Sequence, residues 1–230
     1  MINKRALTGI FLALILTFSG YGWANGNAEE EAERVRDASS VLSEIMNAPD
    51  SEIPRELLDE ATAIAVIPHA VKGAFMVGGE YGKGVVVHRG DTGDWSAPSF
   101  ISLGGASFGF QVGATATDYI LVFTNREGLE PLLKGKVKLG GDASIAAGPV
   151  GRRANASTDV TLNAAIYSYS RSKGAFAGVS LDGAVLTIDD SANENAYGSG
   201  LTGRDILLHR KVSPNEVTEV YVNAVENHID

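Results

Sequence analysis

The chain has 230 residues, no cysteine, 27 glycines and a formal charge of −9 at pH 7. The missing cysteines exclude disulfides and thiolate metal sites, so stability has to come from a packed core. The acidic balance argues against a nucleic-acid binder.

Read from the N-terminus, Lys4 and Arg5 precede the apolar run GIFLALILTFSG, and Gly22 and Ala24 supply small residues at −3 and −1 of a cut after Ala24. That order predicts a secretory signal peptide over residues 1–24, the apolar run being short for a membrane span. A retained anchor is the competing reading. No cysteine follows the run, which excludes a lipoprotein cysteine. The expectation is one domain over residues 25–230, periplasmic or secreted from a Gram-negative bacterium. It would have no transmembrane span after cleavage, and a charge of −11 because Lys4 and Arg5 leave with the signal.

NGNAEEEAERVRDASSVLSEIM then reads as a helix. Asn27 is placed to cap it, and Val35, Ala38, Leu42, Ile45 and Met46 recur at helical spacing. A second short helix is predicted from Pro54 through RELLDEA. From Ile64 the texture turns to short β-rich pieces broken by Gly, Pro, Asp or Asn: AIAVI (63–67), GAFMVGG (73–79), GVVVH (84–88), PSFISLGG (98–105), SFGFQVGAT (107–115) and YILVFT (119–124). Thr124-Asn-Arg-Glu127 reads as a capping box before a helix over EGLEPLL. Strands resume through GKVKLGG, DASIAAGPVG, VTLNAAIYSYS, GAFAGVSL and AVLTID. Ser213-Pro-Asn-Glu216 opens a closing helix with Val217, Val220, Tyr221, Ala224 and Val225 on one stripe. The class is α+β: a glycine-rich antiparallel β-sheet or partly closed barrel, flanked by N- and C-terminal helices.

KGAF occurs at 72–75 and again at 173–176, and LGGASFGFQVG (103–113) echoes LGGDASIAAGPVG (139–151). Two β-halves with internal pseudo-symmetry would explain both echoes; chance recurrence of strand-edge tripeptides would too.

No catalytic constellation stands out. Gly79-Glu80-Tyr81-Gly82-Lys83-Gly84 has the wrong spacing for a phosphate loop and reads as a hairpin turn. His69, His88, His209 and His228 are scattered without metal-ligand spacing, and no nucleophile elbow, HExxH or SxxK is present. No catalytic residue, metal or cofactor is assigned, and the chain is expected not to be an enzyme.

Charge is more informative. Lys134, Lys136, Lys138, Arg152, Arg153, Arg171 and Lys173 face only Asp142 and Asp159 in the same stretch, a local +5 in an otherwise anionic chain. The three lysines alternate, so on a strand they would share one face. These seven are the candidate headgroup patch for an anionic phospholipid or other envelope lipid, with Phe75, Phe108 or Phe176 to line an apolar pocket. The competing reading is a solvated face with edge lysines that discourage aggregation, which would leave an envelope protein-interaction or structural module.

Ala65-Val-Ile-Pro68, KGAFMVGGEYGKG (72–84), Trp95-Ser-Ala-Pro98, Gln111-Val-Gly113, Ala147-Gly-Pro-Val-Gly-Arg152, Tyr169-Ser-Arg-Ser-Lys-Gly174, FAGVSLDG (176–183) and Tyr197-Gly198 follow in the order seen in the SYLF domain family. From about Val35 to Tyr221 the chain resembles that family. The resemblance implies a lipid-binding module without enzyme activity: eukaryotic members recognise phosphoinositides, some fungal ones bind or bundle actin, and bacterial members are secreted. Those proteins use a basic surface with an amphipathic N-terminal helix. This helix instead opens with Glu29, Glu30, Glu31 and Glu33, a departure from the basic face that interfacial helices carry.

Overall fold

The computed structural model describes residues 21–47, 53–75, 77–107, 113–150 and 163–229. Its strands are β1 (Ala63–Phe75), β2 (Val77–His88), β3 (Ser99–Ser107), β4 (Gly113–Phe123), β5 (Lys136–Lys138), β6 (Ile145–Ala147), β7 (Ile166–Ser172), β8 (Ala175–Gly178) and β9 (Val185–Ile188). They form one sheet in the order β5-β9-β3-β2-β1-β4-β7-β6, with β8 added to β7. Every ladder is antiparallel except β6 on β7.

The central strands are buried on both faces, which is why AIAVI, VVV and YILVF read as unbroken apolar runs rather than as alternation. Ile64, Val66, Val85, Val87, Phe100, Ile120 and Val122 point to one face. There they pack under α1 (Tyr21–Met46), α2 (Arg55–Asp59), α4 (Asp190–Tyr197) and α6 (Glu219–Ile229). Ala63, Ala65, Ile67, Val86, Ile101, Leu103, Leu121 and Phe123 point to the other, against α3 (Arg126–Leu133) and α5 (Gly203–Leu207).

The second face is the inside of a curled sheet. β5 and β6 lie at opposite ends of the strand order, yet only residues 139–144 join them. That link reaches about 25 Å fully extended, whereas a flat sheet of this width would span about 34 Å. The two ends must therefore come round toward each other. Val137 from β5 and Ile166 from β7 accordingly meet in the same core cluster. The partly closed barrel expected from the sequence is present.

Several local expectations are corrected. AIAVI and the first three residues of GAFMVGG (Gly73–Phe75) are parts of one strand, β1, because a bulge between Ile67 and Ala70 absorbs Pro68 and His69 without ending the ladder, while Val77–Gly79 already belongs to β2. His69 there takes φ 52°, a left-handed conformation uncommon outside glycine. α1 begins at Tyr21, upstream of the Asn27 cap. Asn125, not Thr124, caps α3, its side chain accepting from the Gly128 N–H at 3.1 Å. α6 starts at Glu219 after a turn in which Asn215 Oδ1 accepts from the Val217 and Thr218 N–H groups.

The KGAF echo is not a repeated hairpin. Lys72–Phe75 lies inside β1, whereas Lys173 and Gly174 are the turn itself, at φ 50° and 80°, closing the Ser172–Ala175 pair between β7 and β8. Likewise Leu103-Gly104-Gly105 belongs to β3 while Gly140, at φ 76°, turns the chain out of β5.

Candidate functional site: the rim of the sheet beyond α1

The pairing register carries one rung across most of the barrel. Lys138 faces Val185, Val185 faces Gly104, Gly104 faces Tyr81, Tyr81 faces Val71 and Val71 faces Ala116. The β4–β7 ladder ends at the Asp118–Arg171 pair; beyond it the Ser172 hydroxyl donates to the Ala116 carbonyl at 3.4 Å, and Lys173 follows in the β7–β8 turn. Facing residues in a ladder point to the same side. The neighbouring Val137 and Leu186 point inward, so this rung points outward. It ends on one side in exposed Lys138 and on the other at Ala116, near the turn that carries exposed Lys173, and holds Tyr81 and Val71 at its centre, 55% and 51% exposed. They are the two most exposed large hydrophobic residues among those described.

The inner side of the same rim is polar. Tyr119 donates a hydrogen bond to Glu80, whose Oε2 lies 3.7 Å from Lys72 Nζ. Burial pushes the Tyr119 hydroxyl well above its usual range, and the Glu80 contact adds to that. Glu80 thus joins β1, β2 and β4 behind the exposed Tyr81–Val71 pair.

Below the rim, α1 is fastened to the sheet by ion pairs. Lys83 donates to Glu30, Arg34 Nη1 donates to Asp189 Oδ2 at 3.0 Å, and Arg171 Nη1 lies 2.6 Å from Glu44 Oε2. The bulge completes this arrangement. The His69 N–H donates to Asp118 Oδ1 at 2.9 Å, its ring nitrogens lie 3.4 Å from Asp118 and 3.8 Å from Asp37, and Arg171 Nε lies 3.4 Å from Asp118 Oδ2. Hydrogen bonds from Lys83 and Arg171 hold Glu30 and Glu44 below the usual carboxylate range. Burial would raise Asp189, but the Ala192 N–H, Ser191 and Arg34 outweigh it and keep that carboxyl depressed too. Two of the four acidic residues that open α1 are therefore committed inward, Glu30 to Lys83 and Glu31 to Asn195 at 3.1 Å, whereas Glu29, paired with Arg36, and Glu33 stay exposed. The apolar stripe of the helix is buried as well.

The seven basic residues read from the sequence do not share one environment. Lys136 and Lys138 flank buried Val137 and are both exposed on the outer side, as their alternation predicts. Lys134 is not on that strand; it caps the C-terminus of α3, 3.9 Å from Glu130. Arg126 and Arg204 also pair with Glu130. Arg171 is neutralised by Glu44 and Asp118, whereas Lys173, two residues on, is exposed at the turn. Arg152 and Arg153 lie outside the described residues, as do Phe108 and the Phe75 side chain. Phe176 stacks on Tyr169 with centroids 5.3 Å apart against the outer core, so it opens no pocket. A charge sum along the chain misses that Glu44 and Asp118 fold onto Arg171. It also misses Tyr81 and Val71, whose exposure is visible only once the line along which α1 crosses β1 and β2 is known.

Among the described residues no group of side chains is arranged to hold a metal ion, and no helix is long and apolar enough to cross a membrane.

The family model described as Ysc84, Las17-binding protein actin regulator, matches residues 104–227. LAS seventeen-binding protein 3 of Saccharomyces cerevisiae is 36% identical over 187 residues, covering 80% of this chain and 40% of that protein. Protein YSC84 of the same yeast is 38% identical over 169 residues, 72% of this chain and 36% of its own length. The human SH3 domain-containing YSC84-like protein 1 is 32% identical over 195 residues, 84% of this chain and 56% of that protein. The chain thus spans about half or less of the length of these curated relatives, one of which is named for binding and one for an SH3 domain.

Proposed function

Because the chain belongs to the SYLF (Ysc84) family, we propose that it is a non-enzymatic binding module that docks on anionic phospholipid headgroups through the lysine-edged rim. The carrying observation is the outward rung whose exposed Tyr81–Val71 pair lies between Lys138 at one end and, at the other, the β7–β8 turn that carries exposed Lys173. Each lysine near an anionic surface contributes about 1 kcal/mol, and Lys136 adds to the same side. Tyrosine suits the headgroup boundary, with an apolar ring and a wet hydroxyl. Lys134, Arg152, Arg153 and Arg171 complete the basic set in the sequence reading. Arg171 then acts by fastening α1, not by touching lipid.

On the reading of residues 1–24 as a secretion signal, the docking is proposed at a bacterial envelope, with phosphatidylglycerol-type or other anionic envelope lipids as the surface. Processing of a reporter fusion after Ala24, with recovery in a periplasmic fraction, tests that location; an unprocessed cytoplasmic fusion overturns it.

Flotation with vesicles of graded phosphatidylglycerol in phosphatidylcholine tests the docking. Binding should rise with the anionic fraction and fall with added salt. Binding indifferent to both removes the mechanism. The second reading, a protein-interaction module, is favoured by the relatives named for Las17 binding. It predicts a protein partner retained after the lysines are neutralised but lost when Tyr81 is truncated.

A further inference from the structure

Between β5 and β2 the outer face of the sheet is a grid of outward positions in two rows. The rim row runs Lys138, Val185, Gly104, Tyr81, and the row below it Lys136, Thr187, Ser102, Lys83. Val137, Leu186 and Leu103, which lie between the rows, point into the core, so both rows face outward. The central positions are small and half-buried, whereas the ends carry lysines and a tyrosine. Long side chains thus wall a shallow floor about 14 Å across, three strand spacings. A Cβ on Gly104 meets nothing within 4 Å, so the floor beside Tyr81 is vacant. Ser102 and Thr187 face each other directly; neither hydroxyl takes a partner among the described residues, and both keep accessible surface. The Lys136 and Lys138 ammonium groups have no carboxylate partner among the described residues. Two carboxylates come near: Asp142 accepts from the Lys138 main-chain N–H at 2.8 Å, and Glu30 accepts from Lys83.

Adjacent hydroxyls in the floor, an aromatic face at one end and unpaired ammonium groups at the other match a sugar ring that bears an anionic group. Serine and threonine hydroxyls can each donate to and accept from the neighbouring hydroxyls of a pyranose. The negative face of the Tyr81 ring attracts the C–H groups on one side of that ring. The lysines hold a phosphate as point charges. A bare phosphate would use the lysines alone, and a neutral sugar would leave them idle. On the reading of the rim as a lipid-docking edge, we infer that this basin seats a phosphorylated pyranose, the headgroup of an anionic glycolipid. The ring lies over Gly104 against Tyr81, its hydroxyls meet Ser102 and Thr187, and its phosphate reaches Lys138 and Lys136.

Phosphatidylcholine vesicles carrying a monophosphorylated diglucosamine lipid test this against phosphatidylglycerol vesicles of equal surface charge. The glycolipid should bind about fivefold tighter, the worth of one net hydrogen bond. Gly104→Val, whose Cβ meets no neighbour, fills the seat and should remove that excess while thermal melting and phosphatidylglycerol binding stay unchanged. The double variant Ser102→Ala/Thr187→Val should remove it too. Equal binding of the two vesicles by the parent, or an excess that survives Gly104→Val, overturns the inference. In solution, glucose 6-phosphate should shift the Gly104, Ser102 and Thr187 amides where inorganic phosphate does not. That shift without binding to either vesicle would retire the membrane docking and keep the sugar-phosphate seat. Equal shifts with phosphate alone would reduce the basin to its lysines and overturn the seat.

Discussion

Arg171 lies on β7 and Lys173 two residues on in the turn that follows it, yet the region beneath α1 and the rim beyond it use charge in opposite ways. Under the helix, each cation meets a carboxylate from a distant part of the chain: Arg34 with Asp189, Lys83 with Glu30, Arg171 with Glu44 and Asp118. To one side of the helix the outward positions keep exposed lysines and an exposed Tyr81–Val71 pair. The difference teaches that where α1 crosses the strands, not composition, divides this sheet into a structural part and a part open to partners.

Glycines sharpen the contrast most. A Cβ on Gly84 would sit 2.2 Å from the Val66 carbonyl oxygen, a backbone atom with nowhere to go, whereas one on Gly104 meets nothing within 4 Å. Gly84→Ala should cost about 3 kcal/mol or more in urea denaturation. Gly104→Ala should stay within about 0.5 kcal/mol. Equal effects would break the division between covered sheet and rim.

Charge reversal comes next in size. Arg171→Glu sets a third carboxylate beside Glu44 and Asp118 and should destabilise by about 2 kcal/mol in the same assay. Lys173→Asn, at a left-handed position that asparagine tolerates, should leave stability unchanged. Its effect belongs to lipid: with Lys138→Gln it should weaken binding to phosphatidylglycerol vesicles about 25-fold, some 1 kcal/mol per lysine. That loss should shrink as salt is added.

Tyr81→Ser should weaken vesicle binding by about fivefold, the transfer energy of part of an aromatic ring. Unlike the lysine effect, this loss should persist at high salt. A Tyr81 variant that binds like the parent would reduce the rim to its charges.

How far the sequence reached follows the same boundary. The doubly buried strands were legible because AIAVI, VVV and YILVF need no tertiary information to be recognised as core. α5 was also within reach: Thr202-Gly-Arg-Asp205 is a capping box, with the Thr202 hydroxyl accepting from the Asp205 N–H. α4 hid behind the polar SANENAY, held by Asp189 at its N-terminus and by Asn193, whose Oδ1 accepts from the Phe100 N–H at 2.9 Å. The Lys136–Lys138 alternation was readable because burial on a strand has period two. The pairing of Arg171 was not, since Glu44 lies on a helix and Asp118 on another strand, and only the register brings them together.

Acid should loosen the covered region first, and by the smallest amount. Glu30, Glu44 and Asp189 all have folded-state pKa values below their ordinary ones. A depressed carboxyl contributes stability that is fully present above the unfolded value, near pH 4, and is lost as pH falls through the folded value. All three carboxylates fasten α1, so their protonation acts on one element, and because Glu30 and Glu44 are largely solvated the effect is modest. Hydrogen exchange corrected for its intrinsic pH dependence should show α1 amides losing protection between about pH 4 and pH 3, while β1 and β4 amides hold theirs. Simultaneous loss in helix and sheet would mean that the ion pairs do not set the attachment of α1, and that its buried Val35, Leu42 and Ile45 do.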